Sequence, residues 1–404
     1  IYYERLSGQL AAQNIGQPPF SIMQTRLGAQ NAASTFQQPF NPPLPPTSAF
    51  PIFIPRTPDS ALFLAAIQRS LTSPYTQQYN LNVQYEFAPD FLWQVGYVGS
   101  KTTHLTGCVE FNQALTATPQ NPVNGQTTST NENLTQRLPF AGIASGSYIC
   151  ETAFDANYNS LQTSVTKRLS HGFDFQGSYT FSKALDFTSG TGGLDSLDLG
   201  FLGNDQTHPR QSRGPDDFDR KHRLVLSFAY APPKFKEGPS VLRNLLSDWR
   251  FSGVSVFQSG LPITVIDSTA GSVYGNLTGF TRAQCTGAKP ASAGPLSQRL
   301  NGYFNPAAFA APPAVGDGTG FGSCGVGILR GPDQRNLDFG IQRDFTVREG
   351  NALQFRAEFF NLTNTPKFGL PLSDRAAGPG PPFGVISSTV SNPRIIQLAC
   401  KYSF

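Results

Sequence analysis

A charged stretch near the middle of the chain holds the densest set of side chains that could do chemistry. Residues 204–223 read NDQTHPRQSRGPDDFDRKHR. Carboxylates and histidines can bind cations or shuttle protons, so a metal site or an acid–base site is one interpretation. Charges of both signs alternate closely, however, and this pattern favours a salt-bridged loop over ligand contact, and ligand contact over catalysis. The candidate residues for the charge network or the ligand contact are Asp205, His208, Arg210, Arg213, Asp216, Asp217 and Asp219.

Motifs of known catalytic sites are missing from the sequence. It contains no G-x-S-x-G elbow, no phosphate-binding loop and no H-E-x-x-H pair. We therefore expect no enzymatic activity, no catalytic residue and no cofactor.

Five cysteines are spread along the chain, and none has the C-x-x-C spacing of a zinc site. Cys108 and Cys150 fall in one predicted loop, and Cys285 and Cys324 fall in another. The simplest interpretation is that each pair forms a disulfide that braces its own loop, as would suit an exported protein. Free thiols are the alternative. Cys400 lies on the apolar face of the last predicted strand, where it would act as a small hydrophobic residue.

Alternating apolar and polar residues predict the elements that must position these groups. In residues 78–87, QYNLNVQYEF, the alternation is unbroken, which indicates a β-strand with one apolar face. A partial strand at 1–5 and eight further segments complete the set: 91–100, 158–169, 173–184, 222–230, 249–259, 336–345, 352–361 and 394–404. A short helical turn is also possible near residues 60–70.

Connections between these strands alternate in length. Long loops at about 6–73, 101–157, 185–221, 260–335 and 362–392 alternate with short turns and with one connection of medium length, 231–247. Transmembrane barrels of the outer membrane have short turns on the periplasmic side and long loops outside. A soluble sandwich is the rival, but its strands average about five or six residues and its connections follow no such parity. The sequence predicts an all-β, antiparallel transmembrane barrel with extracellular loops.

Composition agrees with strands and turns. Charged residues make up only 14% of the chain, which contains 33 Phe, 13 Tyr, 39 Gly and 33 Pro. The net charge of +4 and the lack of a dense basic block argue against binding of nucleic acid. No apolar run is long enough for a transmembrane helix. Because Ile1 is the first residue and Met23 is the only methionine, we expect a piece of a longer protein.

Loop aromatics could stack on a ligand such as a sugar or a siderophore, although packing within the loops is favoured. They are Phe36, Phe40, Phe50, Phe53, Tyr303, Phe304 and Phe309.

Several short motifs, in order along nearly the whole chain, resemble the C-terminal barrel portion of TonB-dependent outer-membrane receptors of the Oar-like group. The motifs are PYTQQYNL at 74–81, YVGSK at 97–101, YNSLQ at 158–162, YTFSK at 179–183, DRKHR at 219–223, QSGLP at 258–262 and AEFFNLTN at 357–364. The terminal strand also resembles the signal that the barrel-insertion machinery reads. Gln397 takes its polar position, Tyr402 and Phe404 take its aromatic positions, and Ala399 stands where glycine is usual.

The resemblance implies a barrel of about 22 strands, of which residues 1–404 would supply about ten. It also implies a plug domain, which this piece lacks, and import of a large solute driven by a TonB-type energising protein. The implied partners are outer-membrane lipid, the TonB-type protein, the insertion machinery and an unknown large solute. A passive porin and a structural or adhesive surface barrel remain the alternatives.

Overall fold

Ten antiparallel β-strands form one continuous sheet in the computed structural model. The structure describes residues 2–3, 61–187, 200–201, 204–235, 239, 246–275, 281–313, 321–348, 351–376 and 382–404. Within these residues the main strands are β1 (Tyr2–Tyr3), β2 (Tyr75–Ala88), β3 (Phe91–Glu110), β4 (Tyr148–Ser170), β5 (Phe173–Asp186), β6 (His222–Tyr230), β7 (Trp249–Gln258), β8 (Gln334–Arg348), β9 (Asn351–Phe360) and β10 (Ile395–Ser403).

Each strand pairs with its neighbours in the chain, so that the sheet is an up-and-down meander from β1 to β10. Every pairing along this path is antiparallel. The predicted all-β, antiparallel fold class is confirmed. The strands that alternation predicts are present, and five of them, β2, β3, β4, β5 and β8, extend beyond the predicted ends.

The sheet has one apolar and one polar face. On the apolar outer face, Leu81 lies opposite Tyr97, which lies opposite Leu161, which in turn lies opposite Phe181. These side chains stay exposed, with Leu81 at 71%. The opposite, inner face carries a polar row through Asn82, Gly96, Gln162, Thr180, Arg223, Gln258 and Gln334. An exposed apolar face on a sheet with a polar reverse is the arrangement of a membrane barrel wall.

Tight hairpins close one end of the sheet, which we call the short-turn end. Ser170 pairs with Phe173, so the hairpin between β4 and β5 has a two-residue loop, His171 and Gly172. Both residues have positive φ, 53° and 75°. Two positive φ values give a turn whose twist matches that of the paired strands.

A projecting ribbon corrects the predicted loop at 101–157. β3 continues to Glu110 and β4 begins at Tyr148, and the ladder between them runs to the pair of Glu110 with Tyr148. β3 has 20 residues, or about 66 Å at about 3.3 Å per residue, which is far longer than the hydrocarbon layer of about 30 Å. The ribbon, 101–110 with 148–157, therefore stands outside the membrane-spanning sheet.

Short strands cover the edges of the ribbon. Ala65–Ile67 pairs in parallel with Tyr148–Cys150, and Gly200–Phe201 pairs in parallel with β3. Gly214–Pro215 pairs with the end of β5. The suggested helical turn near 60–70 is wrong, because the described residues 61–70 contain no helix and include the strand Ala65–Ile67, which pairs with the open edge of β4.

The other end of the sheet is covered by what we call the cap, the described residues of 111–147, 204–221, 259–333 and 361–394. It contains the helices Ser268–Tyr274 and Leu296–Arg299 and the 3-10 turns Leu134–Arg137, Pro209–Ser212 and Pro306–Ala308. Its short strands pair Pro262–Ile263 with Leu329–Arg330, Ile266–Asp267 with Thr281–Arg282, and Gln284–Cys285 with Phe309–Ala310. No helix in the described residues is long and apolar enough to cross a membrane.

A hydrophobic core lies in this cap. Its buried members include Val265, Phe304 and Cys324, and Phe368 and Phe383 pack against it. Tyr303, Phe304 and Phe309 belong to the same cluster, so these three predicted loop aromatics pack against one another. Phe36, Phe40, Phe50 and Phe53 lie outside the described residues.

Candidate functional site

The charged stretch 204–223 divides into three separate contacts and does not form one network. Its first part faces a cavity in the cap, its middle part contacts the ribbon, and its last part lies against the inner face of the sheet.

Asp205 and His208 form the first contact. His208 Nδ1 lies 2.7 Å from Asp205 Oδ2, and the Thr207 hydroxyl donates to Asp205 Oδ1 at 2.6 Å. The hydroxyl also lies 3.0 Å from His208 Nδ1. Carboxylate and hydroxyl thus meet at the same ring nitrogen, whereas a nucleophile relay needs one at each nitrogen. The arrangement therefore lacks the geometry of that relay. It forms a hydrogen-bonded polar edge of a cavity of about 490 Å³.

Arg213 forms the second contact, between the cap and the ribbon. Its Nε donates to Asp155 Oδ1 at 3.4 Å, and its Nη2 donates to Asn157 Oδ1. The guanidinium also lies 5.7 Å from the ring centre of Phe187. Arg210 is exposed on the 3-10 turn, and Asp217 is half-buried. The middle of the stretch therefore anchors the loop on β4.

Asp219 forms the third contact and is 3% exposed. Its Oδ1 accepts from the Ala184 backbone N–H at 2.7 Å, and its Oδ2 is paired with Arg330 Nη2. Arg330 also donates to the Asp219 backbone carbonyl at 2.8 Å. Asp219 thus joins β5 to the end of the longest loop. Sequence reasoning missed Arg330, because its partner is 111 residues away and no local pattern marks the pair.

A cavity of about 540 Å³ opens on the inner face beside Asp219. Gln162, Thr180 and Gln258 form its wall, and Asp216, Phe218, Arg220 and Arg223 also line it. Asp216 Oδ1 accepts from the Phe218 N–H at 2.7 Å, and the Phe218 ring is 83% exposed. Burial, with the nearby Arg223 and Arg330, lowers the pKa of Arg220. Two guanidinium groups and two carboxylates therefore line the cavity, and Arg330, outside the lining, pairs with one of those carboxylates, Asp219.

Two disulfides join the predicted pairs of cysteines. Cys108 and Cys150 are direct ladder partners in the projecting ribbon, so this bond is on strands and not in a loop as the sequence suggested. Cys285 and Cys324 are bonded within the cap. Both bonds lie at the long-loop end, and Cys400 is free and exposed on β10.

Arg137 is a second residue that sequence reasoning missed. It is fully buried, and its guanidinium donates to the side chain of Asn133 and to the carbonyls of Leu115, Thr130 and Val273. Burial lowers the pKa of Arg137. The bond to Val273, at 2.5 Å, joins two different loops of the cap. In the sequence, Arg137 is marked only as an arginine that follows a polar loop, and this pattern is too common to identify it as a buried, functional residue.

The terminal residues Gln397, Tyr402 and Phe404 lie on or just after the edge strand β10. Gln397 is opposite Glu358 on the inner face, and Tyr402 is opposite Leu353 on the outer face. Tyr402 and Phe404 are 51% and 96% exposed, with ring centres 6.0 Å apart. The two aromatics of the predicted insertion signal are thus displayed beside the short-turn end.

Known structures of similar shape are outer-membrane proteins. The Escherichia coli outer membrane transporter YddB has a TM-score of 0.43 at 9% identity, over 85% of this chain and 34% of that one. The Pseudomonas aeruginosa ferripyoverdine receptor has a TM-score of 0.38 at 11% identity, over 83% of this chain and 28% of that one. The Acinetobacter baumannii ferric preacinetobactin receptor BauA has a TM-score of 0.33 at 13% identity, over 81% of this chain and 29% of that one. The chain spans about a third or less of the length of each.

Among curated proteins, none matches the sequence. The family described as outer membrane beta barrel domain matches residues 1–397, which is nearly the whole chain. The match agrees with the apolar outer face, the polar inner face and the meander of the sheet. The chain belongs to the outer membrane β-barrel domain family and is a protein of the cell outer membrane.

Proposed function

We propose that this chain is the C-terminal barrel part of a TonB-dependent outer-membrane receptor that imports a large solute. The observation that carries the proposal is the cavity on the inner face, which lies beneath a packed cap at one end of a polar wall. A sheet that served only as a membrane-spanning wall would need neither the cavity nor the cap. The motifs along the chain that resemble such receptors support the same proposal.

The proposal assigns a side to each end of the molecule. The cap and the ribbon lie outside the cell, where two disulfides suit an oxidising environment. The short turns lie in the periplasm, as in other outer-membrane barrels. Residues 1–404 supply the barrel portion, a plug domain and a TonB-contacting segment lie elsewhere in the full protein, and β10 presents Gln397, Tyr402 and Phe404 to the insertion machinery.

Solute depletion by whole cells tests this function. A strain that lacks the gene and the same strain complemented with the full-length gene are grown in one medium, with and without the TonB-type protein. The solutes left in the medium are then measured by mass spectrometry. We expect the complemented strain to deplete a large solute only when the TonB-type protein is present.

Three other outcomes would contradict the proposal. Depletion without the TonB-type protein would indicate a passive porin. Unchanged depletion with altered cell adhesion would indicate an adhesive barrel, and no difference in either property would indicate a structural role. The amount of protein at the surface, measured by immunoblot, must be equal in all strains.

A further inference from the structure

The inner cavity beside Asp219 has an unequal set of charges. Arg220, Arg223, Asp216 and Asp219 line it, and a third arginine, Arg330, lies behind Asp219 and near Arg220. The buried Asp219 is already paired with Arg330. Arg220 donates to the Ser259 carbonyl at 2.6 Å, which orients it but does not neutralise its charge.

Arg223 is the most accessible of these cations. It is exposed on the inner face, and its ladder partners are Thr180 on β5 and Gln258 on β7, both neutral. Among the described residues, no ion pair to the Arg223 side chain is present. A guanidinium that makes no ion pair, in a partly enclosed site, can bind an oxyanion through charge-assisted and often paired hydrogen bonds.

The other residues that line the cavity fit a solute that carries hydrogen-bonding groups or a ring in addition to its anionic group. Gln162, Thr180 and Gln258 offer hydrogen bonds, while Phe218 and Tyr158 offer ring faces. The volume of about 540 Å³ exceeds the need of a single carboxylate or phosphate. A carboxylate-bearing solute with hydroxyl groups or a ring would use all of these groups.

We infer that this cavity is a binding site for a carboxylate-bearing solute, with Arg223 and Arg220 as the groups that hold the carboxylate. The inference rests on the proposed transport function and adds to it the chemical class of the solute.

Arginine-specific labelling tests the site directly. Isolated outer membranes that contain the full-length protein are treated with phenylglyoxal, and labelling at each arginine is measured by mass spectrometry, with citrate as the carboxylate probe and sucrose as the neutral probe. Citrate at about ten times its apparent dissociation constant should slow labelling of Arg223 about tenfold. Sucrose should have no such effect.

Arg250 is the internal control, because it lies on the same inner face near the short-turn end and is close to Asp344. Its labelling should not respond to citrate. Equal slowing of Arg223 and Arg250 would show general screening and would overturn the inference. Slow labelling of Arg223 without any added anion would show that another part of the protein covers it, which would also overturn the inference.

Thr180→Glu supplies a second test, since it places a carboxylate directly opposite Arg223 in the ladder. We expect this variant to lose the protection by citrate, whereas Thr180→Gln retains it. Protection that persists in Thr180→Glu would contradict the site. Labelling of isolated membranes needs no energy source, so failure here leaves solute depletion by cells unaffected and separates this inference from the proposed function.

Discussion

Asp219 shows how a single buried carboxylate can set the position of a long loop. It is 3% exposed and its charge is matched by Arg330. We predict that Arg330→Met lowers the free energy of unfolding by about 1–3 kcal/mol, because a buried carboxylate loses its cation. Urea-induced unfolding of the protein in detergent measures the loss.

The matched control is Lys234→Met, which removes an ion pair that is exposed at both ends, at 73% for Lys234 and 42% for Asp248. Exposed pairs contribute little, so we expect no measurable change. If both variants lost the same stability, the burial of Asp219 would not be the cause.

Two buried tyrosines in the cap predict that its stability falls at alkaline pH. Burial raises the pKa of both Tyr274 and Tyr303 above the ordinary value of 10.0. Above pH 10 the unfolded chain therefore loses these protons before the folded cap does. The stabilisation is complete below that pH and declines as the pH rises further. Amide exchange of the cap between pH 9 and pH 11, extrapolated to opening free energies, should show this decline.

Tyr274→Phe with Tyr303→Phe removes both titrating hydroxyls and serves as the control. The double variant should have a flatter pH profile over the same range. A profile as steep as that of the parent protein would mean that other groups govern the alkaline opening.

At the scale of elements, the backbone just after β7 and the backbone just before β8 come into close contact where the cap begins. The Gly260 N–H donates to Asp333 Oδ1 at 3.1 Å, and a Cβ at Gly260 would lie 1.8 Å from the Gly331 carbonyl oxygen. We predict that Gly260→Ala forces these backbones apart and costs about 1–3 kcal/mol. Gly302→Ala is the control, since a Cβ there meets nothing within 4 Å. Thermal unfolding should separate the two variants.

Alternation predicts the membrane-spanning strands but not the projecting ribbon. Residues 78–87 alternate because one face meets lipid and the other meets the polar interior. Beyond Ser100 the chain reads KTTHLTGCVE, and this part of β3 pairs with Gly200–Phe201 and contacts the cap where the Glu110 N–H donates to Gln206 Oε1. No period of two is needed there, so the sequence gives no sign that the strand continues.

Contacts within the cap are equally hidden from sequence reasoning. The bonds of Arg137 to Val273 and of Arg330 to Asp219 join residues 136 and 111 positions apart. The charged stretch 204–223 could be identified by composition. Its division into three contacts depends on which strand each part meets, and no local rule contains that information.

For the whole molecule, the two faces of the sheet predict opposite responses to charge. Leu81 is 71% exposed on the outer face, while Gln84 lies on the inner face and donates to Gln94 at 3.3 Å. We predict that Leu81→Arg destabilises the protein in the membrane by about 2–4 kcal/mol, whereas Gln84→Arg has little effect. Unfolding from lipid vesicles measures both. Equal sensitivity would contradict the assignment of the outer face to lipid.

The cap is built from several loops, and this determines how late in folding it can form. Arg137 connects segments that are separated in the chain by β4, β5, β6 and β7. Contacts between neighbouring strands form early, whereas contacts over such separations must wait until the intervening chain is in place. We therefore expect a fixed order of assembly. Pulsed amide labelling during folding should show the ladder of β4 and β5, which a two-residue turn closes, protected first and the cap closed last.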